Sequence, residues 1–195
     1  MTHDRATGLD APSTSTGLAL RRSGPCRRTP AHTELCDGYF VFRLFPQRLW
    51  HSLVVQSLTT ALAAQAPASV EVDRQVTVRL DKWTRFEPDI IATKVPHARD
   101  RTAFEPADVA LVVEVTSPES GHRDRTVKLR KYAEASIKHY WLIEEEDGQP
   151  VVHVHELDTP TRTYVPAVVF RGSLERPVPF PVGIDLTTLF NPKNR

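Results

Sequence analysis

Two carboxylates stand next to apolar strands, where an acid is costly unless a cation or hydrogen bonds compensate its lost hydration. Glu114 comes directly after residues 109–113, which are apolar at every position and predict a central strand covered on both faces. Asp89 follows Pro88 and precedes a short apolar strand. Two acids at the ends of adjacent strands suit a hard divalent ion such as Mg²⁺, which takes oxygen ligands alongside water and phosphate. The alternative is that both acids have a structural role only: Asp89 begins a turn, and Glu114 lies at the end of a strand.

The helix predicted after Glu114 carries a cation that could serve the same chemistry. At about 100° per residue, Asp124, Lys128 and Lys131 fall within one narrow arc, beside the apolar stripe of this helix. One interpretation is an i,i+4 ion pair of Asp124 with Lys128 that simply supports the helix. The functional interpretation is that Lys128 points back towards Glu114 as a cation for phosphate or for an attacking water. We expect Lys128 at an exposed position, where Ala leaves the fold nearly intact.

Positive charge is concentrated in residues 122–138, which contain six Lys or Arg residues against two acids. The whole chain, by contrast, has a formal net charge of +1. A local excess of this kind suits a phosphate backbone, so Arg123, Arg125 and Lys131 are candidates for contacting DNA.

Length and composition limit the class of protein. The chain has 195 residues, 40% of them apolar and 25% charged, which is ordinary for a globular domain and excludes a fibrous or wholly disordered chain. Two cysteines are too few for a disulfide scaffold. No stretch approaches the roughly 18 apolar residues of a membrane span, and no secretory signal is visible. We therefore expect a cytoplasmic protein that does not contact a membrane.

The chain divides into an N-terminal arm and one domain. Residues 1–33 contain no Phe, Tyr or Trp and are rich in small residues, proline and arginine, which predicts a disordered basic arm. Residues 34–195 form the domain, with helices predicted at 50–65 and 123–136 and a strand or hairpin arm within 70–80. Further strands are predicted at 39–42, 90–92, 109–113, 139–143, 151–157 and 161–170. This order of elements predicts an α/β (α+β) domain.

Taken in series, the motifs of this domain resemble the Uma family of restriction endonucleases, which belongs to the PD-(D/E)XK nuclease superfamily. The central part of the resemblance is carried by Pro88-Asp89, Val113-Glu114-Val115-Thr116-Ser117-Pro118, Asp124-x-x-x-Lys128-x-x-x-Tyr132-x-x-Ala135 and Tyr140-Trp141-Leu142-Ile143. The preceding part is carried by Glu34-Leu35-x-Asp37-Gly38 and Pro46-Gln47-x-x-Trp50-His51. The resemblance covers the chain apart from the N-terminal arm.

The resemblance implies a restriction-endonuclease-like mixed central sheet flanked by helices. It also implies Mg²⁺-dependent hydrolysis of phosphodiester bonds in DNA, with Mn²⁺ able to substitute. By position, Asp89 and Glu114 would bind the metal. The lysine of the E-x-K motif is replaced here by Thr116, and Lys128 matches the helix position from which this family supplies its lysine.

Three further residues are expected to support that site. Glu34 resembles an accessory acid of the N-terminal segment, and Ser117 and Asp124 are expected to fix the loop between the strand and the helix. His51 matches the family pattern as well, and it either caps the first helix or lines the site.

Two functions are compatible with these residues. The first is a metal-dependent endonuclease that cuts DNA, and the second is a catalytically silent nuclease-fold module that binds nucleic acid or protein. The presence of Asp89, Glu114 and Lys128 together favours the first, because a decayed enzyme usually loses one of them. A double-strand cut needs two active sites, so a homodimer is expected.

Overall fold

The computed structural model describes residues 32–42, 46–96 and 98–190, together with the backbone of residues 18–19. The first strands, in chain order, are β1 (Leu18–Ala19), β2 (Thr33–Cys36), β3 (Tyr39–Phe42), β4 (Glu71–Asp73), β5 (Thr77–Arg79), β6 (Arg85–Phe86) and β7 (Ile90–Thr93). The later strands are β8 (Ala103–Phe104), β9 (Val109–Val115), β10 (His139–Glu146), β11 (Gln149–Asp158), β12 (Thr163–Phe170), β13 (Ser173–Arg176) and β14 (Val182–Asp185). The helices are α1 (Leu49–Gln65), α2 (Gly121–Arg123), a π-helical turn (Asp124–Lys128) and α3 (Leu129–Glu134), with 3-10 turns at Pro106–Asp108 and Leu186–Thr188.

The strands form a central sheet, an outer sheet and a small hairpin sheet. The central sheet has the order β12-β11-β10-β9-β7-β4, and the outer sheet has the order β1-β3-β2-β6-β5-β8. In the central sheet β9 runs parallel to β10 and antiparallel to β7, so this sheet is mixed, as predicted. All seven residues of β9 are buried, because elements cover both of its faces. The continuous apolar run therefore predicts this strand correctly.

Successive residues of β9 face two different apolar cores. Leu111 and Val113 pack with Leu58 of α1 in the first core. Val112 packs with Tyr132 of α3 in the second core. The alternation follows from the period of two in a strand, and it decides which side of the sheet each polar residue faces.

The connection from β9 to β10 crosses the second face of the central sheet. Two parallel neighbours cannot be joined by a tight hairpin, so the chain returns through α2, the π-helical turn and α3. The sequence predicts one continuous helix over 123–136, whereas the structure interrupts it with the π-helical turn at Asp124–Lys128. Single π turns of this kind are frequent at functional sites.

A second prediction differs from the structure, and a third falls largely on residues that the structure does not describe. The segment 70–80 is not a hairpin, because β4 pairs with β7 in the central sheet and β5 pairs with β6 and β8 in the outer sheet. The predicted disordered arm, residues 1–33, lies mostly outside the described residues. Within it, β1 pairs with β3, and Thr33 already belongs to β2. Among the described residues, no helix is long and apolar enough to cross a membrane.

Candidate active site

Asp89 and Glu114 lie at the same end of the ladder between β7 and β9. Ile90 of β7 pairs with Val113 of β9, Asp89 directly precedes Ile90, and Glu114 directly follows Val113. Val112 shares its face of β9 with Glu114 and packs in the second core, so Glu114 faces α3. Asp89 and Glu114 are each 2% exposed. The ladder therefore brings the two predicted acids together in a buried place.

Glu114 is bonded to two residues of the interrupted helix. Its Oε1 accepts hydrogen bonds from Lys128 Nζ at 2.8 Å and from the Tyr132 hydroxyl at 2.9 Å. Burial raises the pKa of Glu114 to about 8, although the charge of Lys128 acts in the opposite direction. The buried carboxylate is therefore short of compensating positive charge.

Lys128 is the centre of the charged cluster. It is 1% exposed, and its Nζ lies 2.8 Å from Glu34 Oε1, 2.8 Å from Glu114 Oε1 and 3.9 Å from Asp124 Oδ1. Burial alone would lower the pKa of Lys128, but the three carboxylates raise it well above its ordinary value. The prediction of an exposed position is wrong, because β2 and β9 bring Glu34 and Glu114 onto this face of the helix.

Glu34 joins the cluster from the outer sheet. This residue of β2 is 4% exposed, and its Oε1 accepts the Glu87 backbone N–H at 3.0 Å. Its Oε2 lies 3.1 Å from Arg123 Nη2. Burial raises the pKa of Glu34, but Lys128 and Arg123 outweigh it and hold the pKa below its ordinary value. The residue predicted as an accessory acid thus lies beside the predicted lysine.

Asp89 has a different set of partners. Its Oδ2 lies 3.2 Å from Nε2 of His51, a buried residue of α1, and accepts the Val115 backbone N–H at 2.8 Å. Burial raises the pKa of Asp89, but the hydrogen bond and charge of His51, together with Lys128, leave it below its ordinary value. Of the two roles considered for His51, the structure shows the ring at the site.

The loop between β9 and α2 is held by serines and by the main chain of Asp124. The Ser117 N–H donates to Ser120 Oγ and the Ser120 N–H donates to Ser117 Oγ, both at 3.1 Å. The Tyr140 hydroxyl donates to the carbonyl oxygen of Asp124 at 2.9 Å. Asp124 is itself 2% exposed, and burial raises the pKa of its carboxyl. Ser117 and Asp124 therefore lie where the strand passes into the helix.

The three basic residues predicted to contact DNA all lie beside carboxylates. Arg123, with its side chain 28% exposed, pairs with Glu34. Arg125 is 52% exposed and its Nε donates to Glu144 at 2.5 Å. Lys131 is 12% exposed and pairs with Asp37. Arg123 is thus the one among them that also touches the buried cluster.

The cluster contains more carboxyl groups than permanent cations. Its four buried carboxylates and two permanent cations are Glu34, Asp89, Glu114 and Asp124, with Lys128 and Arg123. Across the described ranges, no group of three or more His, Cys, Asp or Glu side chains has the geometry of a metal cage. A magnesium site needs no such cage, because one or two carboxylates with water and substrate phosphate suffice. Asp89 and Glu114 are the pair that could supply these ligands.

Tyr132 is a site residue that the sequence does not reveal. Helical spacing assigns it to the apolar stripe, and its ring does pack in the second core. Its hydroxyl, however, donates to Glu114, and burial next to that carboxylate raises its pKa well above the ordinary value. The available signal is the residue type, since Phe would fill a purely apolar position equally well.

Comparisons with known proteins bear on the family and the fold of this chain. A family model described as "Uma2: Putative restriction endonuclease" matches residues 20–188. Among solved structures, the chain is similar to the crystal structure of a putative nuclease belonging to DUF820 from Anabaena variabilis ATCC 29413. The TM-score is 0.62 at 16% identity, covering 79% of this chain and 85% of that one. At this identity the likeness shows the fold alone, and it confirms the predicted fold class. No curated protein matches the chain.

Proposed function

This chain belongs to the Uma2 family, described as putative restriction endonucleases, and from that premise we propose that it is a metal-dependent endonuclease acting on DNA. The single observation that carries the proposal is the buried pair Asp89 and Glu114 on neighbouring strands, with Lys128 bonded to Glu114. Buried carboxylates grouped around a buried lysine are expensive for a structural domain. A site that hydrolyses phosphodiesters needs such groups, because it must bind a cation and stabilise an anionic transition state.

The proposed cofactor is Mg²⁺, with Mn²⁺ as a substitute, bound by Asp89 and Glu114. The donor set fits, since both residues offer oxygen ligands and the four buried carboxyl groups outnumber Lys128 and Arg123. The raised pKa of Glu114 supports the same conclusion, because a divalent cation nearby would favour its ionised form. When bound, such an ion polarises the scissile phosphate and lowers the pKa of a water molecule.

The other side chains act by position and charge. Lys128 remains protonated, so it acts as a fixed cation for negative charge developing on the phosphate rather than as a proton donor. Tyr132 orients the Glu114 carboxylate through its hydroxyl, and His51 orients the Asp89 carboxylate through Nε2. Each of these bonds keeps a ligand oxygen in place before the substrate arrives.

DNA would reach this cluster along Arg123, whose partly exposed guanidinium lies between Glu34 and the surface. A phosphate there would replace Glu34 as the partner of the Arg123 guanidinium. Arg125 and Lys131 would likewise leave their carboxylate partners and contact neighbouring phosphates. Cutting both strands calls for two copies of the site, which supports a homodimer. Because the substrate is DNA, we propose the cytoplasm as the site of action.

A plasmid cleavage assay tests the proposal. Purified protein is incubated with supercoiled plasmid and Mg²⁺ or Mn²⁺, and the Glu114→Gln variant is compared with the wild type. We expect cleavage to fall at least about a hundredfold, since the variant loses a charged ligand at the reacting phosphate. Glu175→Gln, at an exposed glutamate of β13, is the matched control and should cut normally.

Two results would contradict the nuclease proposal. The first is undiminished cleavage by Glu114→Gln, which would assign the activity to other residues or to a contaminant. The second is a wild type that binds DNA but leaves it intact with both ions. In that case the chain acts as the catalytically silent module that binds nucleic acid without cutting it.

A further inference from the structure

Trp83 presents an exposed ring from a rigid loop of the outer sheet. Residues 80–84 connect β5 to β6, and the loop is closed by the Leu80 N–H, which donates to the Thr84 carbonyl at 3.0 Å. The Trp83 N–H donates to Asp81 Oδ1 at 2.6 Å, and its carbonyl accepts the Gly38 N–H at 2.9 Å. Trp83 is nonetheless 53% exposed. A large aromatic residue is therefore fixed at its backbone and about half exposed to solvent.

The surroundings of this ring are aromatic and basic. Gly38 adopts φ +85°, and a Cβ built there would lie 3.8 Å from Trp83 Cε3, so the β2–β3 turn packs against the indole. Tyr39, the next residue, is 51% exposed. Lys82 Nζ lies 4.8 Å from the centroid of the Trp83 ring. Trp83, Lys82 and Tyr39 are called the aromatic patch below.

Burial of apolar area does not account for this arrangement. The chain has three tryptophans, and the other two, Trp50 and Trp141, are 5% and 0% exposed in the first core. Of the nearby acids, Asp37 pairs with Lys131, whereas Asp81 accepts the Trp83 N–H and keeps its charge. The Lys82 ammonium lies over the Trp83 ring, so the aromatic patch offers a positive charge together with an aromatic ring, which suits a partner that has both phosphates and flat bases.

The aromatic patch lies close to the candidate active site along the chain. From Trp83 the chain runs through β6 to Glu87, whose N–H donates to Glu34, and then to Asp89. Asp89 lies six positions after Trp83, so their Cα atoms are at most about 22 Å apart. Phosphates of one DNA strand follow each other every 3.4 Å or so along a duplex axis, so about six nucleotides cover that distance. Arg85, an exposed residue of β6, lies between Trp83 and Asp89 along the chain.

We propose that the aromatic patch binds an unpaired base of a nucleic-acid strand by stacking on Trp83, while Lys82 and Arg85 contact the adjoining phosphates. This inference rests on the proposed function and deepens it, because it names single-stranded or locally unpaired nucleic acid as the form bound. Stacking on an aromatic ring tolerates every base, so the aromatic patch adds affinity without sequence preference. A base inside an intact duplex cannot offer its face to the indole in this manner.

Binding is measured without divalent ions so that no hydrolysis intervenes. A labelled 20-nucleotide oligo-dT is titrated with the full chain in EDTA, and fluorescence anisotropy gives the dissociation constant. We expect Trp83→Ala to weaken binding at least about fivefold and Trp83→Phe to retain most of the affinity. Lys82→Gln should weaken binding most at low salt. Lys94→Gln, at an exposed lysine after β7, is the matched control and should bind normally.

The fold of the variants is checked by thermal unfolding. Trp83→Ala keeps the backbone hydrogen bonds of the loop, so its melting curve should overlay that of the wild type. Wild-type affinity in Trp83→Ala would overturn the inference. So would an equal loss of affinity for a 20-base-pair duplex, or a change confined to self-association in sedimentation velocity, which would assign the aromatic patch to contacts between copies.

The outcome separates this inference from the proposed function. If Trp83→Ala loses oligo-dT binding while the wild type fails to cut plasmid, the aromatic patch stands and the nuclease proposal fails. If the wild type cuts plasmid through Glu114 while Trp83→Ala binds oligo-dT normally, the nuclease proposal stands and the aromatic patch inference fails.

Discussion

Replacing Lys128 by Met tests whether the buried cation holds the cluster together. Met keeps most of the aliphatic stem and removes the ammonium group, which lies 2.8 Å from both Glu34 and Glu114. Three carboxylates then remain buried without their shared cation, since Asp124 also faces this ammonium. Removing one partner of a buried ion pair typically costs about 3–5 kcal/mol of unfolding free energy. We therefore expect Lys128→Met to lose about that much stability.

Urea unfolding followed by circular dichroism gives the measurement. With a slope of about 2 kcal/mol per molar urea, the expected loss lowers the midpoint by roughly 2 M. Lys131→Met is the matched control, because Lys131 lies one turn further along the helix and pairs with an exposed Asp37. An ion pair with an exposed partner contributes less than about 1 kcal/mol, so the control should unfold close to the wild type.

A double substitution shows that the loss comes from unpaired charge. Adding Glu34→Gln to Lys128→Met removes an ionised carboxylate left without this cation, and it should recover part of the stability. A loss below about 1 kcal/mol for Lys128→Met would refute the reasoning, because Lys128 would then behave as the exposed helix residue that the sequence predicts. The absence of any recovery in the double variant would refute the assignment of Glu34 as a partner.

Three further predictions concern the ligands and their supports. Tyr132→Phe deletes the hydroxyl that donates to Glu114, so it should lower the free energy of unfolding in urea by about 1–2 kcal/mol and slow plasmid cleavage. An unchanged cleavage rate would remove Tyr132 from the site. His51→Leu deletes the side-chain partner of Asp89, so Mn²⁺ affinity measured by calorimetry should fall about 10- to 100-fold, and equal affinity would contradict the assigned contact. The pKa of Glu114 is about 8 in the folded protein, against an ordinary value of 4.5. Between these two pH values the folded state binds a proton that the unfolded state has lost, so the free energy of unfolding falls as pH rises from about 5 to 8. Glu114→Gln should flatten that fall in urea midpoints measured across this range, and an equally steep fall in the variant would assign the titration elsewhere.

The strand acids could be predicted from the sequence because their environment is local. Residues 109–113 are apolar throughout, so the strand must be buried, and Glu114 must be buried with it. Asp89 follows proline and begins an equally apolar strand, and the pairing of β7 with β9 then aligns the two acids. Apolar patterning determines both steps, and patterning is visible in a single chain.

The contacts of Lys128 with Glu114 and Asp124 agree with the two interpretations drawn from the sequence, but its burial and its contact with Glu34 could not be predicted from patterning. Helical periodicity assigns a lysine to the solvent face, and nothing near Lys128 in the sequence indicates that β2 of the outer sheet brings Glu34 within 2.8 Å of it. The π-helical turn also changes the angle between successive residues, which the helical arc of Asp124, Lys128 and Lys131 takes to be about 100°. Glu34 was recognised through the family resemblance alone, since contacts between distant segments leave no periodic signal.

Short strands explain the remaining difference in the fold. The segments β4 and β5 contain three residues each, and alternation over so few residues does not specify a partner strand. The sequence therefore predicts that strands occur within 70–80 without assigning them to separate sheets. Register and partner are decided by tertiary packing, here by β7 on one side and β6 with β8 on the other.

The most direct test of the central claim is a crystal structure of the wild type soaked in Mn²⁺, with data collected for the anomalous signal of manganese. The account predicts a peak bound by carboxylate oxygens of both Asp89 and Glu114, at metal–oxygen distances of about 2.0–2.6 Å, with Lys128 in the same cleft. Carboxyl groups of Asp89 and Glu114 more than about 8 Å apart could not share one ion. That separation, or a manganese peak bound by other residues, would contradict the account.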